Sequence, residues 1–402
     1  MRAFRSWAPL VVSTLLLAAC GGSDPDVPGS GSPAGAPTTK GTFTAIVSFG
    51  DSLSDVGTYT PATSVTGNGA PPYIGGKFTT NSATGTIWVE NLATTLGLLV
   101  TPAEVGFAGT SAKCPVATTV PSLAGTCTGY GQGGSRVTDP NGIGHANGAL
   151  TVPVVTQIAN HLTRFTSFKS SDLIFVYAGS NDVFTQFTTF ATAAGTIQAN
   201  AAAGTITADQ ANQQLFAAQT AAQAGMKQAA QELVALINTQ ILAKGGTYVA
   251  VMTLSDIGDT PFGASLPATA KPVLTSLSQV FNLWLRDGLT GRPVQIIDTF
   301  ALFKTAAANS AALGFVDATT PACDVAKIFA LTGGTSTPPN PNAITDGSSL
   351  FCNSTPGSPL NGLTTGASAT TWFFADSVHP TTGGHKVISD AFAAQLRAFG
   401  WI

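Results

Sequence analysis

Residues 42–55 read TFTAIVSFGDSLSD. The first part, Thr42 to Phe49, is mostly β-branched and aromatic, which predicts a strand, and Gly50 permits the tight turn that ends it. The Ser52 hydroxyl would then stand on a strand-to-helix turn near the positive end of a helix, a good place for a nucleophile that becomes an acyl-enzyme. Taken alone the signal is weak, because Ser and Asp before a helix are more often N-caps.

Strands and helices alternate along the rest of the chain. Apolar runs predict further buried strands at Leu173–Tyr177, Tyr248–Met252 and Val294–Ile297. Apolar spacing and capping residues predict helices at 87–98, 154–165, 274–285 and 381–399, and a long helix from the Thr207/Gln210 capping box to near Lys244. This alternation indicates an α/β fold whose parallel sheet is covered on both sides, in one domain over residues 43–402.

The composition excludes several classes of protein. Charged residues make up 9% of the chain, against about 25% in a typical soluble domain. Hydrophobic residues make up 44% and the formal net charge is −3, which excludes an intrinsically disordered chain. No basic excess is present that would favour nucleic-acid phosphates, so no nucleic-acid partner is expected.

The N-terminus predicts export. Residues 1–19 have a short basic head and an apolar run that is too short to span a bilayer, as in a signal peptide. Leu17-Ala18-Ala19-Cys20 resembles a bacterial lipobox, in which the cysteine thiol is lipidated. The alternative is an ordinary cleavage site with Cys20 incidental. Residues 20–42 would then be the lipidated cysteine and a flexible Gly/Ser/Pro linker. We expect a cell-envelope protein, anchored to the outer membrane or exposed at the cell surface, or else a secreted one.

Four cysteines remain after Cys20, and an even number in an exported protein suggests two disulfides. Pairing of sequence neighbours is simplest, giving Cys114–Cys127 and Cys323–Cys352, although three connectivities are possible in principle. A zinc site is the alternative, but neither a C-x-x-C spacing nor a nearby histidine supports it.

Two more segments could stabilise a developing oxyanion. Asn181 follows the predicted strand 173–177 and could donate a side-chain N–H to that oxygen, although an Asx turn is commoner for such a residue. The glycine-rich turn Gly131-Gln132-Gly133-Gly134-Ser135-Arg136 could expose a backbone N–H to the same oxygen. A phosphate cradle ranks low, because no P-loop lysine follows.

Asp376 and His379 are three residues apart, which can place both side chains on one side of a turn. His379 could accept a serine proton, and Asp376 could fix its tautomer and stabilise the imidazolium. In isolation this pair would more often be an Asx turn followed by a structural histidine. Of the other histidines, we expect His145 to be solvated, His161 to be structural and His385 to pack or hydrogen-bond in the last helix.

Four segments have now been singled out; along the chain they carry Ser52, the glycine-rich turn 131–136, Asn181 and the Asp376/His379 pair. Together, and in this order, they resemble the four sequence blocks of the GDSL or SGNH hydrolase family. Those blocks contribute Ser, Gly, Asn and His, with an Asp three residues before the His. The resemblance covers about residues 45–398. It implies a flavodoxin-like three-layer α/β/α sandwich with a mostly parallel sheet. It also implies roles for Ser52 as nucleophile, Asp376 and His379 as acid and base, and Ser52, Gly134 (or, one position earlier, Gly133) and Asn181 as oxyanion donors. The family often has Asn, Ala and an aromatic residue where Gly129, Gly131 and Ala375 stand here.

The expected activity is hydrolysis of carboxylic esters, with an apolar acyl or aryl ester as substrate and neither cofactor nor metal. Alternatives are acyl transfer to an acceptor alcohol, or a non-catalytic envelope lipoprotein. A monomer is expected. The Ala/Thr/Gly-rich segments 55–85, 186–206 and 325–370 are expected to be loops around the cleft or excursions from the sheet.

Overall fold

The computed structural model describes residues 31–65, 76–331 and 349–402. The predicted signal peptide, Cys20 and the beginning of the predicted linker lie outside the described residues. The described strands are β1 (Ala45–Gly50), β2 (Glu104–Phe107), β3 (Thr110–Lys113), β4 (Asp172–Tyr177), β5 (Tyr248–Met252), β6 (Gln295–Ile297), β7 (Asp317–Pro321) and β8 (Trp372–Phe374).

A parallel sheet forms the centre of the domain. Strands β1, β4, β5 and β6 lie side by side in that order. Gly129 extends the sheet beyond β1, because it forms a parallel bridge with Ser48. If the Gly129 segment is counted as the second strand along the chain and β4, β5 and β6 as the third to fifth, the strand order across the sheet is 2-1-3-4-5. This is the order of flavodoxin-like sheets. The pairs β2–β3 and β7–β8 lie outside this sheet.

The described helices are α1 (Thr60–Val65), α2 (Trp88–Thr95), α3 (Val116–Thr119), α4 (Val154–Phe165), α5 (Ser180–Ala202), α6 (Ala208–Leu236), α7 (Pro261–Ser265), α8 (Lys271–Gly288), α9 (Thr299–Ala308), α10 (Val325–Leu331) and α11 (Thr382–Ala398). Helix α6 continues through a π-helical turn, Ile237–Ile241, and a 3-10 turn, Leu242–Lys244. Within the ranges given above, no helix combines the length and the hydropathy that crossing a membrane requires.

Helices cover both faces of the sheet. Phe49 of β1 contacts His161 of α4, with ring centroids 5.9 Å apart. Phe175 of β4 lies opposite Ser48 in the register and contacts Trp88 of α2 at 5.3 Å. Successive strand residues point to opposite faces, so α4 and α2 lie on opposite sides. Helix α11 packs beside α2, and α6 packs against α5 and α8. The layers are those of an α/β/α sandwich, as expected.

The predicted elements match the structure where the apolar pattern is strong. The predicted helix 154–165 and strand 248–252 have the bounds of α4 and β5. Of the two alternatives expected for residues 186–206, a loop around the cleft or an excursion from the sheet, the loop is wrong, because residues up to Ala202 belong to α5. Threonine is unfavourable in a helix when its hydroxyl competes for backbone groups. Here the hydroxyls of Thr185, Thr189 and Thr192 donate to carbonyl oxygens four residues earlier, and α5 is held by packing on α6.

The second half of the predicted linker is docked on the domain. The Ala34 N–H donates to the Arg292 carbonyl at 2.9 Å, and the Pro37 carbonyl accepts the indole N–H of Trp401 at 2.7 Å. The composition predicted one flexible linker over residues 20–42, and this part of it is hydrogen-bonded to the domain. The composition suggested a tether because few side chains there are apolar, whereas the docking uses mainly backbone groups.

Two disulfides join Cys114 to Cys127 and Cys323 to Cys352. This is the simplest of the three connectivities considered from the sequence. Both bonds are consistent with an exported protein, since such bonds persist in oxidising compartments.

Candidate active site

The candidate site lies at the carboxyl ends of β1 and β4, where the strand order reverses, as is general for ligand sites in open α/β sheets. Ser52 begins a short 3-10 turn directly after β1, and Asp51 caps this turn by accepting the Leu53 N–H at 3.2 Å. A Cβ at Gly50 would lie 2.1 Å from the carbonyl oxygen of Tyr177. Only glycine therefore fits where β1 approaches β4.

The structure brings Ser52, His379 and Asp376 together. Ser52 Oγ lies 2.8 Å from His379 Nε2. His379 Nδ1 lies 2.9 Å and 2.7 Å from the two carboxylate oxygens of Asp376. The carboxylate favours the tautomer with its proton on Nδ1, which leaves the Nε2 lone pair directed at the serine hydroxyl. This arrangement can transfer a serine proton to the imidazole.

Asp376 remains ionised at neutral pH. Burial alone would raise its pKa, but the charge of His379 and hydrogen bonds from that side chain and from backbone N–H groups lower the pKa to about 2. The Ser349 N–H also donates to this carboxylate, at 2.7 Å. A buried and fully bonded carboxylate of this kind holds the imidazole in place and stabilises its protonated form.

The backbone N–H groups of Gly133 and Gly134, in the glycine-rich turn, differ in their hydrogen bonding. The Gly133 N–H is bonded to Asp55 Oδ2 at 2.8 Å. The N–H groups of Gly134 and Ser52 have no hydrogen-bond partner among the residues that the structure describes. Gly134 has a φ of +80°, and a Cβ there would lie 2.0 Å from the Ile143 carbonyl oxygen. The geometry therefore favours the Gly134 amide over the Gly133 amide as an oxyanion donor.

Asn181 stands in the first turn of α5, directly after β4. Its Nδ2 donates to the Ser135 carbonyl oxygen at 2.8 Å, which turns the amide toward the glycine-rich turn. The amide carries a second N–H, which is available to a further acceptor.

The sequence model of the GDSL-like lipase/acylhydrolase family matches residues 46–392. The chain belongs to this family. Membership supports a serine hydrolase that acts on esters in general. A search of curated proteins found no significant match.

The GDSL domain departs from the usual family pattern for packing reasons. A Cβ at Gly129 would lie 2.5 Å from Val56 Cγ2, and one at Gly131 would lie 2.9 Å from the Ser54 carbonyl oxygen. The chain after the nucleophile therefore lies so close to the glycine-rich turn that a larger residue at Gly129 or Gly131 would require its neighbours to shift.

An aromatic wall beside His379 comes from a distant segment. Phe78 lies against the imidazole, with ring centroids 4.9 Å apart. Ala375, which stands where the family often has an aromatic residue, is buried and donates its N–H to the His379 carbonyl at 2.7 Å. The ring from Phe78 thus lines the histidine of this GDSL domain.

The sequence interpretation missed Asp55 and Tyr59. Both are buried, and each is bonded to a backbone group of Gly133. Burial raises the pKa of Asp55 to about 6, because desolvation outweighs the backbone N–H groups that it accepts. The second aspartate of the GDSLSD stretch was the available signal, but its partner lies 78 residues away in the sequence.

The other histidines of the GDSL domain do not join the site. His145 is exposed. His161 is buried and stacks on Phe168, with ring centroids 4.4 Å apart, so its ring packs in the core. His385 is buried in α11, and its Nδ1 accepts the Trp88 N–H at 3.3 Å, as expected for packing in the last helix. In the described ranges, no three His, Cys, Asp or Glu side chains gather as a metal site.

A narrow groove passes beside the residues that follow Ser52 and precede His379. It encloses about 50 Å³. Its lining is mainly apolar and aromatic, with an acidic and basic cluster at one wall: Leu53, Val378, Phe303, Ala307, Ala318, Phe373, Phe374, Ser255, Asp256, Asp259, Thr260 and Lys304. The Lys304 ammonium is paired with Asp256 at 2.9 Å and with Asp259 at 2.7 Å, and Lys271 is also paired with Asp259, at 2.7 Å. Two ammonium groups therefore balance the two carboxylates.

Proposed function

We propose that the protein hydrolyses carboxylic esters through an acyl-enzyme on Ser52. The observation that carries the proposal is the hydrogen-bonded chain from Ser52 Oγ to His379 Nε2, at 2.8 Å, and from His379 Nδ1 to Asp376, at 2.7 Å. These three side chains have the nucleophile, base and orienting acid geometry that acyl transfer requires.

In the acylation half, His379 Nε2 takes the proton of Ser52 as Oγ attacks the ester carbonyl carbon. The carbonyl oxygen becomes an oxyanion, which accepts hydrogen bonds from the N–H groups of Ser52 and Gly134 and from the Asn181 amide. The tetrahedral intermediate collapses, the bond to the alcohol oxygen breaks, and His379 gives its proton to the departing alcohol.

In the deacylation half, His379 takes a proton from water, and the resulting hydroxide attacks the acyl carbon. The same donors hold the second oxyanion. The bond to Ser52 Oγ breaks, the proton on His379 returns to the serine, and the free acid leaves. Asp376 stays ionised throughout and stabilises the imidazolium in both halves.

The test compares Ser52→Ala and His379→Ala with the wild-type protein on a short-chain aryl ester. Loss of either group should lower kcat by about 10⁴-fold or more, as in other serine triads. Ser171→Ala is the matched control, because this serine lies at the opposite end of the sheet, just before β4, and among the described residues it bonds only to Thr44. A serine-directed organophosphorus reagent should label the wild type at Ser52 alone. Near-wild-type rates in both site variants would refute the proposal.

We also propose that the groove beside Leu53 and Val378 receives one apolar side of the ester. Its lining is mainly apolar and aromatic, and it begins at the residues next to Ser52 and His379. A substitution in this groove should therefore change how kcat/KM depends on acyl-chain length. Ala307→Phe would fill the groove from the exposed face of α9 and should lower kcat/KM for the preferred chain length while Ser52 labelling persists. An unchanged chain-length profile in this variant would contradict the assignment.

We further propose that the protein is exported and anchored by a lipid on Cys20. The lipobox-like sequence 17–20 carries this proposal, and the two disulfides support export. Labelled palmitate should be incorporated by cells expressing the wild type and not by cells expressing Cys20→Ser. An N-terminus of the mature chain other than residue 20 would contradict lipidation and favour secretion.

A further inference from the structure

Both polar backbone groups of Gly133 are held by buried side chains. Its N–H donates to Asp55 Oδ2 at 2.8 Å, and its carbonyl oxygen accepts the Tyr59 hydroxyl at 2.7 Å. Asp55 is fully buried, and Tyr59 is 2% exposed. The two side chains come from the segment just after the nucleophile, and Gly133 directly precedes Gly134, the oxyanion donor proposed above.

Asp55 also belongs to the nucleophile turn. Its Oδ1 accepts the N–H of Gly57 at 2.9 Å and of Thr58 at 2.7 Å. Its own N–H donates to the Ser52 carbonyl oxygen at 3.3 Å. One residue therefore connects the turn that carries Ser52 to the loop that carries Gly134, through bonds in a buried environment where unpaired polar groups are costly.

Aromatic rings close the remaining space around Gly133. A Cβ built there would lie 2.2 Å from Phe78 Cε2 and 3.0 Å from Tyr59 Cε2. Phe78 in turn lies against the His379 imidazole. The Gly133 peptide is thus confined both by hydrogen bonds and by shape, and the same ring contacts the proposed base.

We propose that Asp55 and Tyr59 are positioning residues that hold Gly133 so that the Gly134 amide points at the developing oxyanion. The inference rests on the ester hydrolysis proposed above. Donors to an oxyanion act mainly in the transition state, and small displacements of such groups lower the rate strongly. Loss of either holding group should therefore lower kcat and leave KM nearly unchanged.

Two substitutions remove the holding groups with little change of volume. Asp55→Asn replaces one carboxylate oxygen by an NH₂ group, which cannot accept a hydrogen bond from a backbone N–H. The side chain therefore loses its hydrogen bond either from Gly133 or from the nucleophile turn. Tyr59→Phe keeps the ring and removes only the hydroxyl, which donates to the Gly133 carbonyl oxygen at 2.7 Å and accepts the Thr151 N–H at 3.3 Å. If Asp55→Asn fails to fold, Tyr59→Phe still tests the proposal.

Matched controls come from the opposite end of the sheet. Asp172→Asn changes a buried carboxylate that accepts the Lys169 N–H at 2.8 Å. Tyr248→Phe removes a hydroxyl that donates to the Thr39 carbonyl at 3.4 Å. Both controls alter a hydrogen bond of the same chemical kind at a distance from Ser52.

The measurement is steady-state hydrolysis of a short-chain aryl ester, with active sites counted by organophosphorus titration. We expect Asp55→Asn and Tyr59→Phe each to lower kcat by about 10-fold or more with KM changed by less than about 2-fold, since the lost interaction is specific to the transition state. The double variant should lose less than the product of the single effects, because both groups hold the same peptide. Both controls should keep wild-type kcat.

The outcomes separate the two proposals. If the wild type neither hydrolyses esters nor is labelled at Ser52, the proposed function fails and the positioning role fails with it. If the wild type is active and both variants retain its kcat per titrated site, the positioning role alone is overturned. A lower thermal midpoint with unchanged kcat would also overturn it, because that result assigns the two residues to stability only.

Discussion

Asn181 is the side chain that best separates transition-state stabilisation from substrate binding. Its Nδ2 is already oriented by the Ser135 carbonyl, at 2.8 Å. Removing the amide with Asn181→Ala should lower kcat by about 10²–10³-fold, or about 2.7–4 kcal/mol, the usual effect of losing one oxyanion donor. Asn309→Ala is a suitable control, since its Nδ2 bonds to the Thr305 carbonyl at the exposed end of α9. A KM increase with unchanged kcat would show that Asn181 acts in ground-state binding instead.

Asp51 makes the stability of the molecule depend on pH with a definite sign. Burial raises its pKa from 3.8 to about 6, against the Leu53 N–H bond that lowers it. The folded state thus binds the proton more tightly than the unfolded state, so this group's contribution to the free energy of unfolding falls as pH rises from about 4 to about 6. Between about pH 4.5 and about pH 7.5 the loss should be about 2 kcal/mol.

Urea unfolding of the wild type and of Asp51→Asn at both pH values measures this effect as a double difference. The variant should lose less stability than the wild type over that range. Asp390→Asn serves as a control, because this carboxylate is exposed and its one ion pair within the described part of the chain is with Lys386. An equal loss in wild type and Asp51→Asn would show that Asp51 is not the group responsible.

At the level of single elements, the N-cap of α6 illustrates a contribution that is independent of the site. Thr207 Oγ1 accepts the Gln210 N–H at 3.2 Å, and the Gln210 side chain accepts the Thr207 N–H at 2.8 Å. Thr207→Ala should lower the free energy of unfolding by about 1 kcal/mol and leave kcat unchanged. Thr189→Ala, which removes only a hydroxyl bonded within α5, should cost less. Equal losses in the two variants would argue against the capping box.

The sequence predicted the elements whose stability is local and missed those whose stability is not. The strand before Gly50 and helix α4 were predictable, because apolar period and flanking Gly or Pro residues lie within the same few residues. Helix α5 was not, because its Ala/Thr composition has little apolar period and packing on α6 decides its conformation. The contacts of Asp55 and Tyr59 with Gly133 could not be predicted for a related reason, since they join segments far apart in the sequence.

At the scale of the whole molecule, the two disulfides should differ in their effect on activity. Cys323–Cys352 closes a separation of 29 residues and Cys114–Cys127 one of 13. The chain-entropy relation gives about 3.6 kcal/mol and about 2.9 kcal/mol of stabilisation, respectively. The Cys323–Cys352 disulfide also lies close to the candidate site, since Ser349, three residues before Cys352, donates its N–H to the Asp376 carboxylate.

Replacing both cysteines of one bridge by alanine tests this difference. Loss of Cys323–Cys352 should lower the urea midpoint and also lower kcat per titrated site, because the Asp376 carboxylate loses a fixed donor and with it part of its hold on His379. Loss of Cys114–Cys127 should lower the midpoint by a similar amount and leave kcat unchanged, which makes it the matched control. If loss of Cys323–Cys352 leaves kcat per titrated site unchanged, the loop around Ser349 does not support the triad, and this disulfide stabilises the fold alone.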